Sequence, residues 1–134
     1  MSAIAIRGAA IDAMIQHART DAPIECCGLL IGTTGQVDEA VPARNARASD
    51  RVYLVDPEDH FAAIRRARRD GRAIVGAYHS HPKSPAVPSP TDLAEADDAG
   101  FLYVIVSLAA DAPDVRAYRV ERGNSVEVAL VVMA

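Results

Sequence analysis

Ala73-Ile74-Val75-Gly76-Ala77 runs directly into Tyr78-His79-Ser80-His81-Pro82. The first five residues form an unbroken apolar run whose length and composition predict a buried strand. Side chains two apart on a strand share a face, so His79 and His81 project together, roughly 7 Å apart along the backbone. Two imidazoles at that spacing can converge on one ion. Pro82 has no N–H for a sheet ladder, so the strand should end there. Pro85, Pro88 and Pro90 stiffen the loop that follows and leads into Ser89-Pro90-Thr91-Asp92. Two imidazoles and one carboxylate would fill three corners of a tetrahedron and leave the fourth to water, the pattern of a catalytic zinc site.

Each of these features also has a plainer explanation. A His-x-His pair at a strand end can be two surface histidines. Serine before a helix, proline at its first position and an acid three residues on resemble a capping box, a structural device. What points to chemistry is the conjunction of paired histidines, a short stiff loop and an acid at a helix start able to face back toward them.

His79-Ser80-His81-Pro82, with Ser89 and Asp92 downstream, resembles the signature of the JAMM (MPN+) zinc metalloproteases. The family pattern also has a glutamate at the junction of the first helix and the next strand. Pro23-Ile24-Glu25-Cys26-Cys27-Gly28-Leu29-Leu30 supplies it as Glu25, in the form seen in small bacterial members. The resemblance covers essentially the whole chain. It implies an MPN fold with one Zn2+ per chain on His79, His81 and Asp92. It also implies Glu25 as the base that takes a proton from water and passes it to the leaving amine, and Ser89 as a donor to the developing oxyanion. The implied reaction is hydrolysis of an amide or isopeptide after the C-terminal Gly-Gly of a ubiquitin-like protein. The minimal scaffold and bacterial-looking upstream block favour a ubiquitin-like sulfur carrier as partner. A homodimer stays open. The rival readings are a non-catalytic MPN-type interaction module, whose usual mark is loss of motif residues, and a deubiquitinase-like isopeptidase acting on ubiquitin conjugates. A zinc deaminase would show His-x-Glu with Pro-Cys-x-x-Cys, and the two cysteines here are adjacent and upstream. A DNA-repair-associated relative of the same fold fits poorly with the acidic balance.

The 134 residues predict one domain, 1–134, large enough for a real core. Half of them are apolar and 24% charged, ordinary for a globular protein, and the net charge of -4 argues against a nucleic-acid binder. No apolar run approaches the roughly 20 residues of a membrane span, and the apolar piece at the start is too short for a signal peptide. The expected location is the cytoplasm. Adjacent Cys26 and Cys27 are no disulfide framework, which agrees with a reducing compartment. Both read as packing thiols, with Cys27 on the side of Glu25 and an oxidation-sensing or zinc-contacting role as the sharper alternative.

The coarse reading is α/β: a curved, mostly antiparallel sheet with two main helices and a short third. Strands are expected at 3–6, 26–32, 36–41, 51–55, 73–81, 101–108, 115–120 and 125–133. Helices are expected at 8–19, 56–70 and 90–98, with Phe61 and Ile64 facing the core. Gly71 should cap the second helix, and Gly123-Asn124 should turn a hairpin. Pro42 to Ala48, including Asn45, reads as a connector on the rim of the cleft. His17 and His60 read as structural or solvated. Arg65, Arg66, Arg68 and Arg69 read as a solvated face favoured by the helix dipole.

Overall fold

The computed structural model describes residues 3–50, 52–96 and 100–134. Among the described residues there are eight strands and three helices. In chain order they are β1 (Ile4–Arg7), α1 (Gly8–Asp21), β2 (Cys27–Thr33), β3 (Gln36–Ala43), α2 (Pro57–Arg69), β4 (Ala73–His81), α3 (Pro90–Glu95), β5 (Leu102–Ser107), β6 (Asp114–Glu121), β7 (Asn124–Val128) and β8 (Leu130–Met133). The sheet order is β7-β6-β5-β4-β2-β3-β1-β8, with β4 near its middle. The pairs β2/β3, β2/β4, β5/β6 and β6/β7 are antiparallel, while β1/β3, β1/β8 and β4/β5 are parallel.

One topological fact sets the shape. β7 and β8 stand at opposite ends of the sheet order, yet only Ala129 separates them in sequence. One residue spans no more than about 7 Å between its neighbours. The sheet must therefore curl until its two ends nearly meet, and the Ile4 N–H donates to the Ala129 carbonyl (2.9 Å) at the seam. The β6–β7 hairpin turns on Arg122-Gly123, both at positive φ. That is one residue earlier than expected, because a two-residue turn matching the strand twist needs left-handed backbone at both positions.

Curling gives the sheet two different faces. Inside it, Ala10, Met14 and Ala18 of α1 pack on Ile6, Leu30, Tyr78, Val104 and Val106. Outside, Ala63 of α2 packs on Leu29 and Ala77. Alternation along β4 thus sends Tyr78 and Ser80 inward, and Ala77, His79 and His81 outward. Gly28 pairs with Tyr78 across β2/β4, and a Cβ at position 28 would collide with the Tyr78 ring, so only glycine lets that ring lie across the strand.

Several expectations are corrected. Phe61 does not face the core but is 62% exposed. Small Ala63 and Ala67 are the buried face of α2, which brings the helix close to the sheet. Val52 to Leu54 is irregular rather than a strand, and Val55 makes only an isolated bridge to Asn45. The start of that expected strand, Arg51, lies outside the described residues. β3 runs on through Pro42 to Ala43, into what reads as a connector. β1 pairs with β3 only at Gln36 and Val37, so the far edge of β3 is free at Pro42 and a missing N–H there costs little. α3 is shorter than expected: it ends at Glu95 with Ala96 as an extended C-cap, and the rest of the extent expected to Asp98 falls outside the described residues. The start of α2 is as read: the Asp56 side chain accepts from the Asp59 N–H, and Pro57 opens the helix.

Candidate metal centre and active site

β4 delivers His79 and His81 to the outer face at its C-terminal end. Their Nε2 atoms lie 3.1 Å apart. Asp92, from the first turn of α3, places Oδ2 3.2 Å from His79 Nε2 and 3.1 Å from His81 Nε2. Among the described residues these three form the one cluster of His, Cys, Asp or Glu able to hold a metal ion. Zn–N and Zn–O bonds of about 2.0–2.1 Å in a tetrahedron set neighbouring ligand atoms roughly 3.3–3.4 Å apart. The observed triangle is close to that size, so the donor set fits a zinc ion in number, chemistry and spacing.

The surrounding residues fix the orientation of these donors. His81 Nδ1 is 2.8 Å from the Pro85 carbonyl oxygen, which can only accept. Nδ1 therefore carries a proton, and in the neutral ring Nε2 has its lone pair for the shared point. The 82–89 loop that supplies this carbonyl is tied down on both sides. Ser107 Oγ donates to the Ser84 carbonyl (2.6 Å), and the Tyr118 hydroxyl donates to the Ala86 carbonyl. Asp92 Oδ2 also accepts the Ser89 N–H (2.9 Å), while the Asp92 N–H donates to Ser89 Oγ (3.1 Å). The capping box is thus built, and it doubles as the device that aims Asp92. It uses an acceptor lone pair of Ser89 and leaves its hydroxyl proton for another partner.

Burial shapes the charges. It lowers the pKa of fully buried His79. For His81 burial also acts downward, but Asp92 and the Pro85 carbonyl outweigh it and raise the pKa. Asp92 is opposed by burial too, yet its contacts with both imidazoles hold it well below the usual carboxylate range.

Glu25 sits just before β2 and is 3% exposed. Its Oε1 is buried without a hydrogen-bond partner, the sole such side-chain atom among the described residues. Burial pushes its pKa up to about 7. A native protein rarely leaves a buried carboxylate oxygen unpaired, and such an atom points to a missing partner at a working site. Glu25 shares a cleft of about 310 Å³ with Asp50, His81, Lys83, Ser84 and Ser89. A larger cleft, about 580 Å³, opens at the other end of β4 between Arg72 and Arg119. There Arg72 is already paired with Glu39 and Asp70, and Arg119 donates to the Gly100 carbonyl. The smaller cleft holds the unmatched groups.

All five residues singled out in the sequence thus gather at one end of β4. His17 and His60 lie outside the metal cluster. Cys27 pairs with His79 across β2/β4 on the site face, but its Sγ turns to the Arg44 carbonyl (3.6 Å), and burial pushes its thiol up to about 12. Cys26 packs in the inner core. Two further residues are not singled out by any spacing rule: Tyr53, whose ring stacks on His79, and Asn45, whose side chain bonds the Glu25 backbone.

Comparison with known proteins places this geometry. The family of prokaryotic homologs of the JAB domain matches residues 8–121. A desampylase of Haloferax volcanii is 38% identical over 113 residues, covering 79% of this chain and 81% of that protein. The CysO-cysteine peptidase of Mycobacterium tuberculosis is 33% identical over 127 residues, covering 92% and 87%. The crystal structure of a JAB1/MPN domain protein from Archaeoglobus fulgidus superposes with a TM-score of 0.62 at 22% identity, covering 97% of this chain and 98% of that one. Fold and site together define a JAB/MPN domain of the JAMM peptidase class. The chain belongs to the family of prokaryotic homologs of the JAB domain.

Proposed function

We propose that this protein is a zinc-dependent peptidase that hydrolyses the amide bond after the C-terminal Gly-Gly of a ubiquitin-like protein, with a sulfur carrier as its substrate. The observation that carries this reading is the meeting of two features at one end of β4: three convergent donors on His79, His81 and Asp92, and the unpartnered Oε1 of Glu25, which shares a cleft with His81. The two relatives, a desampylase and a CysO-cysteine peptidase, support the substrate class.

A zinc ion on the three donors supplies Lewis acidity, which polarises a carbonyl and acidifies water. The chain's own residues do the rest. Glu25 accepts the proton of the attacking water and returns it to the leaving amine. A carboxylate whose pKa lies near the working pH suits both halves of that transfer. Ser89, with its hydroxyl proton uncommitted to the capping box, donates to the oxygen where negative charge develops. The 82–89 loop, held by Ser107 and Tyr118, keeps the cleft from collapsing onto the site. No covalent acyl intermediate is needed, since both thiols are buried and turned to other contacts. The expected place of action is the cytoplasm.

The test is cleavage, read by mass spectrometry, of three substrates by zinc-loaded protein: a carrier extended beyond Gly-Gly, its tail peptide alone, and a ubiquitin dimer. The extended carrier should be cut after Gly-Gly and the other two poorly, because the globular body of the carrier must position a tail with almost no side chains. Equal rates on carrier and bare peptide would overturn carrier recognition. Preference for the ubiquitin dimer would make the protein a deubiquitinase.

A further inference from the structure

The segment from Arg44 to Asp56 has almost no regular structure among its described residues, yet it is closely tied. Its ends meet where the Asp56 N–H donates to the Arg44 carbonyl (3.0 Å). At its centre is the Asn45 carboxamide. Its Nδ2 donates to the carbonyls of Glu25 (2.9 Å) and Val52 (3.1 Å), and its Oδ1 accepts the N–H groups of Arg47 and Leu54 (both 3.0 Å). All four hydrogen-bonding positions of the amide are thus used, a fully satisfied arrangement that fixes its orientation. The Glu25 N–H donates to the Ser49 carbonyl (2.8 Å), so this one loop grips both the N–H and the C=O of Glu25.

Between Val52 and Leu54, which Asn45 clips in place, stands Tyr53. Its ring lies on the His79 imidazole with centroids 4.3 Å apart and planes 20° apart. This stack covers one face of an imidazole that is only 2% exposed. An imidazole donates its lone pair in the ring plane, so whatever fixes that plane fixes the direction of donation. His81 is held from behind by the Pro85 carbonyl. His79 is held on its face by Tyr53.

We propose that Tyr53 and Asn45 are positioning residues of the site: Tyr53 sets the plane of the His79 ring, and Asn45 couples Tyr53 to the backbone of Glu25. The donor set and the base are then registered to each other by one loop. This rests on the metallopeptidase reading in calling His79 a ligand, but the geometry it asserts can be read without metal.

Two measurements test it. In the metal-free protein, the ring current of Tyr53 should shift the His79 ring protons upfield in the NMR spectrum. Tyr53→Leu should remove that shift and Tyr53→Phe should restore it. Zinc affinity, from competition with a chelating indicator, should fall about 10–100-fold for Tyr53→Leu and recover with phenylalanine. Asn45→Asp keeps both acceptor bonds and loses both donations. It should move the His79 resonances toward their Tyr53→Leu positions without unfolding the protein. Asn45→Ala is the harsher version, and its folding is checked by the dispersion of the remaining spectrum. A folded Tyr53→Leu variant with unchanged His79 resonances and unchanged zinc affinity overturns the role of Tyr53. Unmoved resonances in folded Asn45→Asp overturn the coupling. If the unaltered protein binds no zinc, the metallopeptidase reading fails, while the resonances still decide whether the two residues position His79.

Discussion

Two histidine clusters sit on opposite faces of β4, built from nearly the same residue types. On the inner face, His17 Nδ1 lies 2.7 Å from the Tyr78 hydroxyl, and His17 Nε2 lies 3.1 Å from Asp21 Oδ2. On the outer face, His79, His81 and Asp92 meet with Tyr53 alongside. In the inner cluster every group has a complement. The carboxylate can only accept, so Nε2–H donates to it; in the neutral ring Nδ1 then accepts from the tyrosine O–H, and the chain of bonds is complete. In the outer cluster His81 Nδ1–H donates to the Pro85 carbonyl, so in the neutral ring the Nε2 lone pair faces another imidazole and a carboxylate oxygen. One proton can lie on only one edge of that triangle. Complementary pairs make structure, whereas converging acceptors call for a cation.

The sharpest way to break this comparison is to remove one histidine from each cluster. His81→Ala should abolish stoichiometric zinc in elemental analysis and with it hydrolysis. His17→Ala should keep zinc and cost only stability, about 1–3 kcal/mol by denaturant unfolding. Equal zinc loss in both variants would erase the distinction.

Glu25 sharpens it further, because it is the carboxylate on the outer face without a complement. Its folded pKa, about 7, lies above the ordinary 4.5. The stability this group contributes is therefore fully present below about pH 4.5 and is lost as pH rises through about 7, at most about 3 kcal/mol. In chelator-treated protein, Glu25→Gln should flatten that part of the stability profile and be the more stable form at pH 8. The same variant should still bind zinc and lose about 10²–10⁴-fold in hydrolysis. Identical pH profiles for the two proteins would show that the carboxylate is not held against its preference.

The smallest effect belongs to Tyr78→Phe. Removing the hydroxyl leaves His17 Nδ1 without its partner but keeps the ring that fills the core. The expected cost is about 1–2 kcal/mol, with zinc content unchanged. A change in zinc content would mean that the two faces of β4 communicate through the strand.

How much of this was legible in the sequence differs from residue to residue. Alternation along Ala73–His81 gives the shared face of His79 and His81, and Ser89-Pro90-Thr91-Asp92 gives the capping box, because both depend on neighbours within a few residues. The placement of Phe61 is not legible that way. Helical periodicity marks a large apolar residue as core, but the distance of α2 from the sheet is set by what packs best against Leu29 and Ala77, and alanines pack closer. Val52–Val55 has the alternation of a strand, yet the Asn45 side chain bonds the Val52 carbonyl and the Leu54 N–H in place of a neighbouring strand.

By itself the sequence determined the histidine strand, the shared face of His79 and His81 and the caps at Asp56 and Ser89, since spacing of two, three or four residues fixes direction on a strand or a turn; the role of Glu25 as base was implied only by the family resemblance. It also determined that a family resemblance would hold, through motif blocks some fifty residues apart. Tertiary structure alone decided that the sheet closes through Ala129, that Tyr53 lies on His79 and that Asn45 holds Glu25. These are contacts between residues that are distant along the chain. No local periodicity encodes them, because they exist only once the sheet has curled and brought its loops together over one end of β4.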